Sequence, residues 1–418
     1  MAPETIRRIE VGVGRVLCAL LTLWRRASDW VSRTPPVAPP RRVVFLKLIE
    51  QGATVLACDA LRLATERVGR ENVYFCVFAE NRFILDLLDL VPADNVICIR
   101  GDRFGHFLID ALVAIRRLRA ERIDAVIDLE FFSRATAILS FVSGATRRVG
   151  LHRFSAEAPY CGDLLTHRLQ HNPQLHVAQV YRLLVEALWA DPTDIPLLKA
   201  VAPPPGTPPP FVPTAEERQR VQAMLDAGGA GAGALVLLNA NCGDMLPLRR
   251  WPNAHWLELG RRLLAERPDL TLALTGAPDE RPAVEALRAE LGPRAVSLAG
   301  RTTLREALVL YTLADVLVTN DSGPGHFASL TDVDSIVLFG PETPRLFGPL
   351  GARSQALSAN LACSPCLSAA NHRFSPCRFN ACMHAIGVDD VLQRVRAALD
   401  RRAAGAAPAP PEHREHAS

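Results

Sequence analysis

Residues 316–330 read Val-Leu-Val-Thr-Asn-Asp-Ser-Gly-Pro-Gly-His-Phe-Ala-Ser-Leu. Val316–Thr319 has the apolar, β-branched make-up of a buried strand. Asn320-Asp321-Ser322-Gly323-Pro324-Gly325-His326 interrupts it, and apolar residues resume at Phe327. Glycine and proline end a strand, and a proline near a helix start fits the first turn. The stretch therefore predicts a strand, a short polar turn and a helix that continues through Phe327–Leu330, the repeating unit of a parallel α/β sheet.

The pattern extends outward on both sides. Strands are expected at 235–239, 270–275, 295–298 and 335–339, with helices at 214–227, 255–266, 281–290 and 304–313. Residues 202–213, APPPGTPPPFVP, allow neither helix nor central strand. Before them the alternation occurs again. Strands are expected at 43–48, 72–78, 95–99 and 125–129, and helices at 55–68, 84–90, 107–120 and 178–189, with an irregular His-containing stretch before the last helix. The reading is two α/β halves, each a Rossmann-like doubly wound domain. It gives an N-terminal helix with a proline-rich lead-in (1–40), a first domain (41–200), a linker (201–214), a second domain (215–402) and a disordered tail (403–418). Two such halves place ligands off the carboxyl ends of the strands, in the cleft between them.

Composition removes several functions. With 418 residues the chain is long enough for two cores. A net charge of +3 and only 6% aromatic residues give neither a basic footprint nor a stacking platform, so no nucleic-acid partner is expected. Six of ten cysteines (Cys18, Cys58, Cys76, Cys98, Cys161, Cys242) stand singly, most of them in apolar runs, which fits a reducing, cytoplasmic compartment. Residues 11–24 are nearly all apolar but shorter than a bilayer span, and no cleavage site follows. They read as a helix packed on the first domain, or as an interfacial helix giving residues 7–30 a peripheral membrane contact on the inner face of the cytoplasmic membrane.

The chemistry concentrates at strand ends. Gly323 and Gly325 let backbone approach a ligand, Ser322 is placed to cap the helix, and free N–H groups there suit an anion. Asp321 is placed for a sugar hydroxyl. Strand 335–339 ends in a second turn, Gly340-Pro341-Glu342-Thr343-Pro344. The first strand of this half ends in Asn239-Ala240-Asn241-Cys242-Gly243, followed by Arg249-Arg250-Trp251-Pro252, a candidate diphosphate seat. Each turn alone also reads as an ordinary loop.

Together, in this order, they resemble glycosyltransferase family 9, the ADP-heptose:lipopolysaccharide heptosyltransferases. Asn239–Pro252, Thr275-Gly276, Leu298–Thr302, Thr319–Pro324 with His326, and Leu338–Pro341 carry the resemblance. It implies a GT-B fold, inverting transfer without an essential metal, ADP-heptose as donor, and a lipid-linked or glycan acceptor such as a lipopolysaccharide core. Carried over, the donor site comprises Asn239, Asn241, Gly243, Arg249, Arg250, Asp321, Ser322, Gly323, Pro324 and His326. A catalytically silent nucleotide-sugar-binding or scaffolding relative, and another nucleotide-sugar enzyme such as an epimerase, are the alternatives.

The first half departs from the pattern. Family members carry Gly-Asp after the first strand, the Asp serving as base; here Gly52 is followed by Ala53. Inversion needs a base at the acceptor oxygen. Glu50, in the same loop, is the first candidate and Asp128 the second. Glu130 and Arg134 are candidates for holding an anionic acceptor. Finally, Cys363, Cys366, Cys377 and Cys382, with His372 and His384 nearby, have spacing that suits a structural zinc, with free or redox-active thiols and a disulfide pair as alternatives.

Overall fold

A computed structural model describes residues 3–31, 39–152, 154, 159–243, 246–368 and 374–405. His372, residues 32–38 of the proline-rich lead-in and the tail beyond 405 lie outside them. The chain divides into two compact units at Gly206/Thr207, inside the proline-rich segment.

Unit 1 runs α1 (Pro3–Val31), β1 (Val43–Leu46), α2 (Gln51–Leu56), α3 (Cys58–Val68), β2 (Val73–Phe78), α4 (Arg82–Leu88), β3 (Val96–Ile99), α5 (Phe104–Ala120), β4 (Ala125–Asp128), α6 (Arg134–Val142), β5 (Arg147–His152), β6 (His167–Gln170) and α7 (Val177–Ala187). The six strands are parallel in the order β3-β2-β1-β4-β5-β6. Every residue of β1 is buried, as expected for a strand covered on both faces.

Two features correct the sequence reading. The stretch expected to be irregular contains β5 and β6. Their pattern is masked by Arg147, Arg148 and His167, of which both arginines donate to backbone carbonyls. Arg148 Nε donates to Leu164 O at 2.7 Å, and Arg147 NH1 to Leu188 O at 2.6 Å. The expected helix 55–68 is instead two helices, α2 and α3, meeting at Ala57.

Unit 2 runs α8 (Ala215–Ala227), β7 (Leu235–Asn239), α9 (Asn253–Glu266), β8 (Thr271–Leu274), α10 (Arg281–Leu291), β9 (Ala295–Ser297), α11 (Leu304–Leu313), β10 (Val316–Asn320), α12 (Gly323–Ala328), β11 (Asp334–Phe339), α13 (Pro344–Phe347), β12 (Ser354–Ser358), α14 (Ala381–His384) and α15 (Val388–Ala403). Its sheet repeats the topology, β12-β11-β10-β7-β8-β9, again parallel. The polar edge strand β12 (SQALS) gives no apolar signal, so the sequence reading omitted it. Thr214 opens α8 with a capping box to Glu217, and Thr303 opens α11 with one to Glu306.

In both sheets the strand order reverses between the first and fourth strands of the unit: β1 and β4, then β7 and β10. At such a reversal the following loops run apart, and the carboxyl edge opens. The loops after these strands carry the residues described next.

Candidate functional site

In unit 2, Asn320 joins the two loops at the reversal. Its Nδ2 donates to Ala240 O at 3.0 Å and to Asn241 O at 3.3 Å, and its Oδ1 accepts from Trp251 N at 3.0 Å. Asn320 is fully buried, so all its hydrogen-bonding capacity goes into fixing loop geometry. Trp251 Nε1 donates to Ile386 O, which anchors the segment that carries the arginines.

That segment places Arg249 against two acids. Arg249 Nε lies 3.2 Å from Asp321 Oδ2, NH1 donates to Asp321 O at 3.3 Å, and NH2 reaches Glu342 Oε1 at 3.3 Å. Asp321 and Glu342 are both almost wholly buried. Burial raises both carboxyls above their ordinary range, and Arg249 only partly counters it; Glu342, also facing Asp321, is pushed to about 8. One guanidinium between two buried acids is a strongly polarised group. A diphosphate offers the paired oxygens that an arginine fork binds best.

The other expected donor residues divide. Asn241, Gly243, Arg250, Ser322, Gly323, Pro324 and His326 are half-buried around these loops. Arg250 NH2 donates to Gly243 O at 3.1 Å, and Gly243 N donates to Glu280 Oε1 at 3.2 Å. Asn239 is turned inward instead and donates to Thr275 Oγ1 at 3.0 Å. Ser322 occupies the N-cap position of α12 but does not cap it: its Oγ donates back to Asn320 O at 3.1 Å. The small size of Gly325 serves packing, since a Cβ there would lie 3.0 Å from Val337 Cγ2 on β11.

In the sequence Glu342 reads only as part of a turn, because a glutamate between two prolines looks solvated and its Arg249 contact is tertiary. Asn380 was not singled out at all. Its Nδ2 donates to Leu248 O at 3.0 Å and Arg250 O at 2.9 Å, on either side of Arg249. Cys366 N and Leu367 N both donate to Pro341 O, at 3.0 and 2.9 Å, bracing the Glu342 turn. The cysteine-bearing segment therefore supports the site through its backbone and Asn380.

Among the described residues no three His, Cys, Asp or Glu side chains converge on a metal position. Cys363 and Cys377 are exposed while Cys382 is buried, and Cys377 Sγ donates to Phe379 O at 3.0 Å. Burial raises the Cys382 thiol, and the nearby Cys366 and Cys377 add to that.

In unit 1 the reversal between β1 and β4 holds a second ionic group. Lys47, just past β1, is buried and reaches Glu130 Oε2 at 2.9 Å and Glu50 Oε2 at 3.4 Å. Glu130 Oε1 accepts from Leu48 N at 2.8 Å and Ile49 N at 3.3 Å. Glu130, expected to meet an acceptor, is thus a buried clasp on the β1 loop. That clasp holds Glu50 in the left-handed region, φ 72°, ψ 90°, which is costly for a side chain with a Cβ and is kept only where surroundings impose it. Glu50 is more open to solvent than its partners, at 22% side-chain exposure against 2% for Lys47.

Asp128 is buried, accepting from Thr136 Oγ1 at 2.8 Å and Glu130 N at 3.0 Å; burial pushes its carboxyl to about 8. Arg134 is also buried rather than presented to solvent: Nε donates to Tyr160 O at 2.7 Å, and its stem packs below Gly14 of α1. Ala53 is buried in α2 and carries no proton-accepting group. Lys47 escaped the sequence reading, although a lysine ending an apolar strand is itself a sign of a buried partner.

Residues 112–374 match the profile of glycosyltransferase family 9 (heptosyltransferase). The chain belongs to that family. It is 35% identical over 112 residues to lipooligosaccharide heptosyltransferase 2 of Haemophilus influenzae, covering 26% of this chain and 32% of that protein. It is 29% identical over 256 residues to lipopolysaccharide heptosyltransferase 1 of Pseudomonas aeruginosa, covering 60% and 64%. The matched stretch thus spans about a third of the first curated relative's length. In fold, the chain resembles the E. coli ADP-heptose lipopolysaccharide heptosyltransferase II (TM-score 0.65, 18% identity, 87% of this chain and 99% of that one). It also resembles a family 9 glycosyltransferase from Veillonella parvula (TM-score 0.66, 17% identity, 86% and 97%). The GT-B fold class expected from the motifs is the observed one. The family match begins inside α5, so the β1 loop with Lys47, Glu50 and Ala53 lies outside it.

Proposed function

We propose that this family 9 chain is an inverting glycosyltransferase. It moves a sugar, heptose from ADP-heptose, to a lipopolysaccharide core or a related envelope glycan on the cytoplasmic side of the membrane. The observation that carries this is Arg249 held between Asp321 and Glu342 at the strand-order reversal of unit 2. It offers a preformed cation for a diphosphate, beside a carboxylate suited to a sugar hydroxyl. The heptosyltransferase relatives named above support the donor, and the singly placed cysteines, of which Cys18, Cys58 and Cys76 are buried, support a reducing compartment. In the transfer, the acceptor hydroxyl attacks the anomeric carbon. Its proton passes to a carboxylate while the anomeric C–O bond breaks and the nucleoside diphosphate leaves. Glu50 is the residue assigned to that proton, because it is the more open of the two carboxylates on Lys47 and Asp128 is sealed. Arg249 would stabilise the charge that develops on the leaving diphosphate.

Calorimetric titration with ADP-heptose, against other nucleotide sugars, tests the donor; absence of binding to all of them defeats the proposal. The Ala53 substitution favours one other reading, a silent relative that binds the donor without turnover. Glu50→Ala separates the two. An enzyme using this base loses turnover by about 10²–10⁴-fold while donor affinity holds. A silent relative has no turnover to lose.

A further inference from the structure

We propose that unit 1 rests on an anionic phospholipid surface through the outward faces of two helices, α1 and α5. From the sequence such contact is expected for the first helix alone; 107–120 reads only as a helix.

α1 is fastened by one narrow face. Gly14, Cys18 and Thr22, four residues apart, are buried. Gly14 lies on Arg134, Cys18 packs with Ala137 of α6 and with Leu164, and Thr22 Oγ1 accepts from Asp163 N at 2.8 Å. Arg25 pairs with the same Asp163. With that side fixed, Val13, Val16, Leu20, Leu23, Trp24 and Trp30 point outward, Trp24 at 69% and Trp30 at 91% exposure. Val13, Val16, Leu20 and Leu23 follow at spacings of three and four residues, Trp24 lies one turn past Leu20 and Trp30 two turns past Leu23, which makes a stripe.

α5 repeats the arrangement. Ala114 and Leu118 face the sheet. Phe104, Leu108, Ile109, Leu112 and Val113 are exposed, the last four at 46–57%. A surface helix ordinarily turns such residues inward and its polar face to water; α5 exposes the larger apolar set. Both α1 and α5 pack against α6, so the two stripes flank one helix.

Charge selects the occupant. On the exposed positions of α1 and α5 whose side chains are described, the charged residues are Arg15, Arg26, Arg116 and Arg119, with no acid among them. Apolar stripes with tryptophan and arginine at their margins match the boundary between acyl chains and anionic headgroups. Two copies of this chain meeting through these faces would set arginine against arginine. No described helix is long and apolar enough to cross a bilayer, so the contact is one of lying on it.

The test is flotation of the full chain with vesicles of phosphatidylglycerol and phosphatidylethanolamine, compared with phosphatidylcholine alone. The unaltered chain should float with the anionic vesicles and lose binding as salt rises. Leu20→Asp with Leu23→Asp, and separately Leu112→Asp with Val113→Asp, should each cut binding at least tenfold. Arg116→Glu with Arg119→Glu should abolish the preference for anionic lipid. These positions are exposed, and an unchanged melting temperature confirms folding. Binding indifferent to all three pairs overturns the proposal. So does a dimer, seen by light scattering, that the aspartates disperse while vesicles are ignored. Vesicle binding is read without donor or acceptor, so its failure leaves the transferase reading standing.

Discussion

Arg249 Nε stands 3.2 Å from Asp321 Oδ2 inside the carboxyl edge of the second sheet, with Glu342 Oε1 3.3 Å from the same guanidinium. Removing Arg249 does two things at once. It takes away the proposed diphosphate cation, and it removes the guanidinium that partly offsets the burial of Asp321 and Glu342. Arg249→Met should weaken ADP-sugar binding by about 10–100-fold, the loss expected for a charge-assisted pair worth roughly 1.5–3 kcal/mol. It should also lower the melting temperature of unit 2. Calorimetric titration and differential scanning calorimetry on the same preparation check both. Unchanged donor affinity in a folded Arg249→Met protein would remove this residue from the site.

Glu342 makes stability depend on pH. Burial holds its carboxyl at about 8 against an ordinary value of 4.5, so the native chain keeps a proton that the unfolded chain gives up between those values. The stabilising neutral form is fully present below the unfolded pKa and is lost as pH rises toward about 8, so stability falls across that window. Asp128 in unit 1, held up to about 8 by its own burial, acts in the same direction. Glu342→Gln keeps the shape and removes the titration. Its melting temperature should decline less between pH 5 and 8 than that of the unaltered chain. Parallel curves would mean that Glu342 stays ionised.

The sheet order and the site differ in how far they could be read from residues alone. β7 and β10 are runs of apolar residues ending in small polar ones, and β1 is an apolar run closed by a glycine turn, so period and punctuation suffice. β5, β6 and β12 are not legible in that way, because arginine, histidine and serine interrupt their apolar pattern, and Arg147, Arg148 and Ser354 take partners distant in sequence. The same physics explains the side chains. Asp321 and Arg249 could be named from local motifs. Glu342 and Lys47 could not, because what makes them unusual is burial beside a group distant in sequence. Glu130 and Arg134 look like a surface pair on paper. Backbone donors at Leu48 and Ile49, and the carbonyl of Tyr160, draw them inside.

Lys47 Nζ lies 2.9 Å from Glu130 Oε2 and 3.4 Å from Glu50 Oε2, so one ammonium serves both acids. Lys47→Met has similar length and no charge. It should destabilise unit 1 by about 3–5 kcal/mol, since breaking a buried pair strands its partner. Lys47→Met with Glu130→Gln should recover much of that loss, because neither half then carries an unpaired charge. Urea unfolding of the three proteins checks the cycle. If the double substitution is no more stable than Lys47→Met alone, the bond to Glu130 is not what keeps Lys47 in place.

Asn380 offers a way to move Arg249 without touching it. Its amide spans the carbonyls of Leu248 and Arg250, so it sets the path of the backbone from which Arg249 projects. The residue is half-buried, so water replaces part of what Asn380→Ala removes, and the stability cost should sit near the low end of about 1–3 kcal/mol. Donor affinity should fall by about 3–10-fold, because a looser segment must be ordered again on binding. Asn380→Asp should do no better, since its carboxylate faces two carbonyl oxygens and donates to neither. The discriminating measurement is a double-mutant cycle by calorimetric titration. If Asn380 acts through Arg249, then Asn380→Ala added to Arg249→Met costs little further affinity. If the two losses add in full, Asn380 serves the donor by another route, and its two carbonyl contacts are only structural.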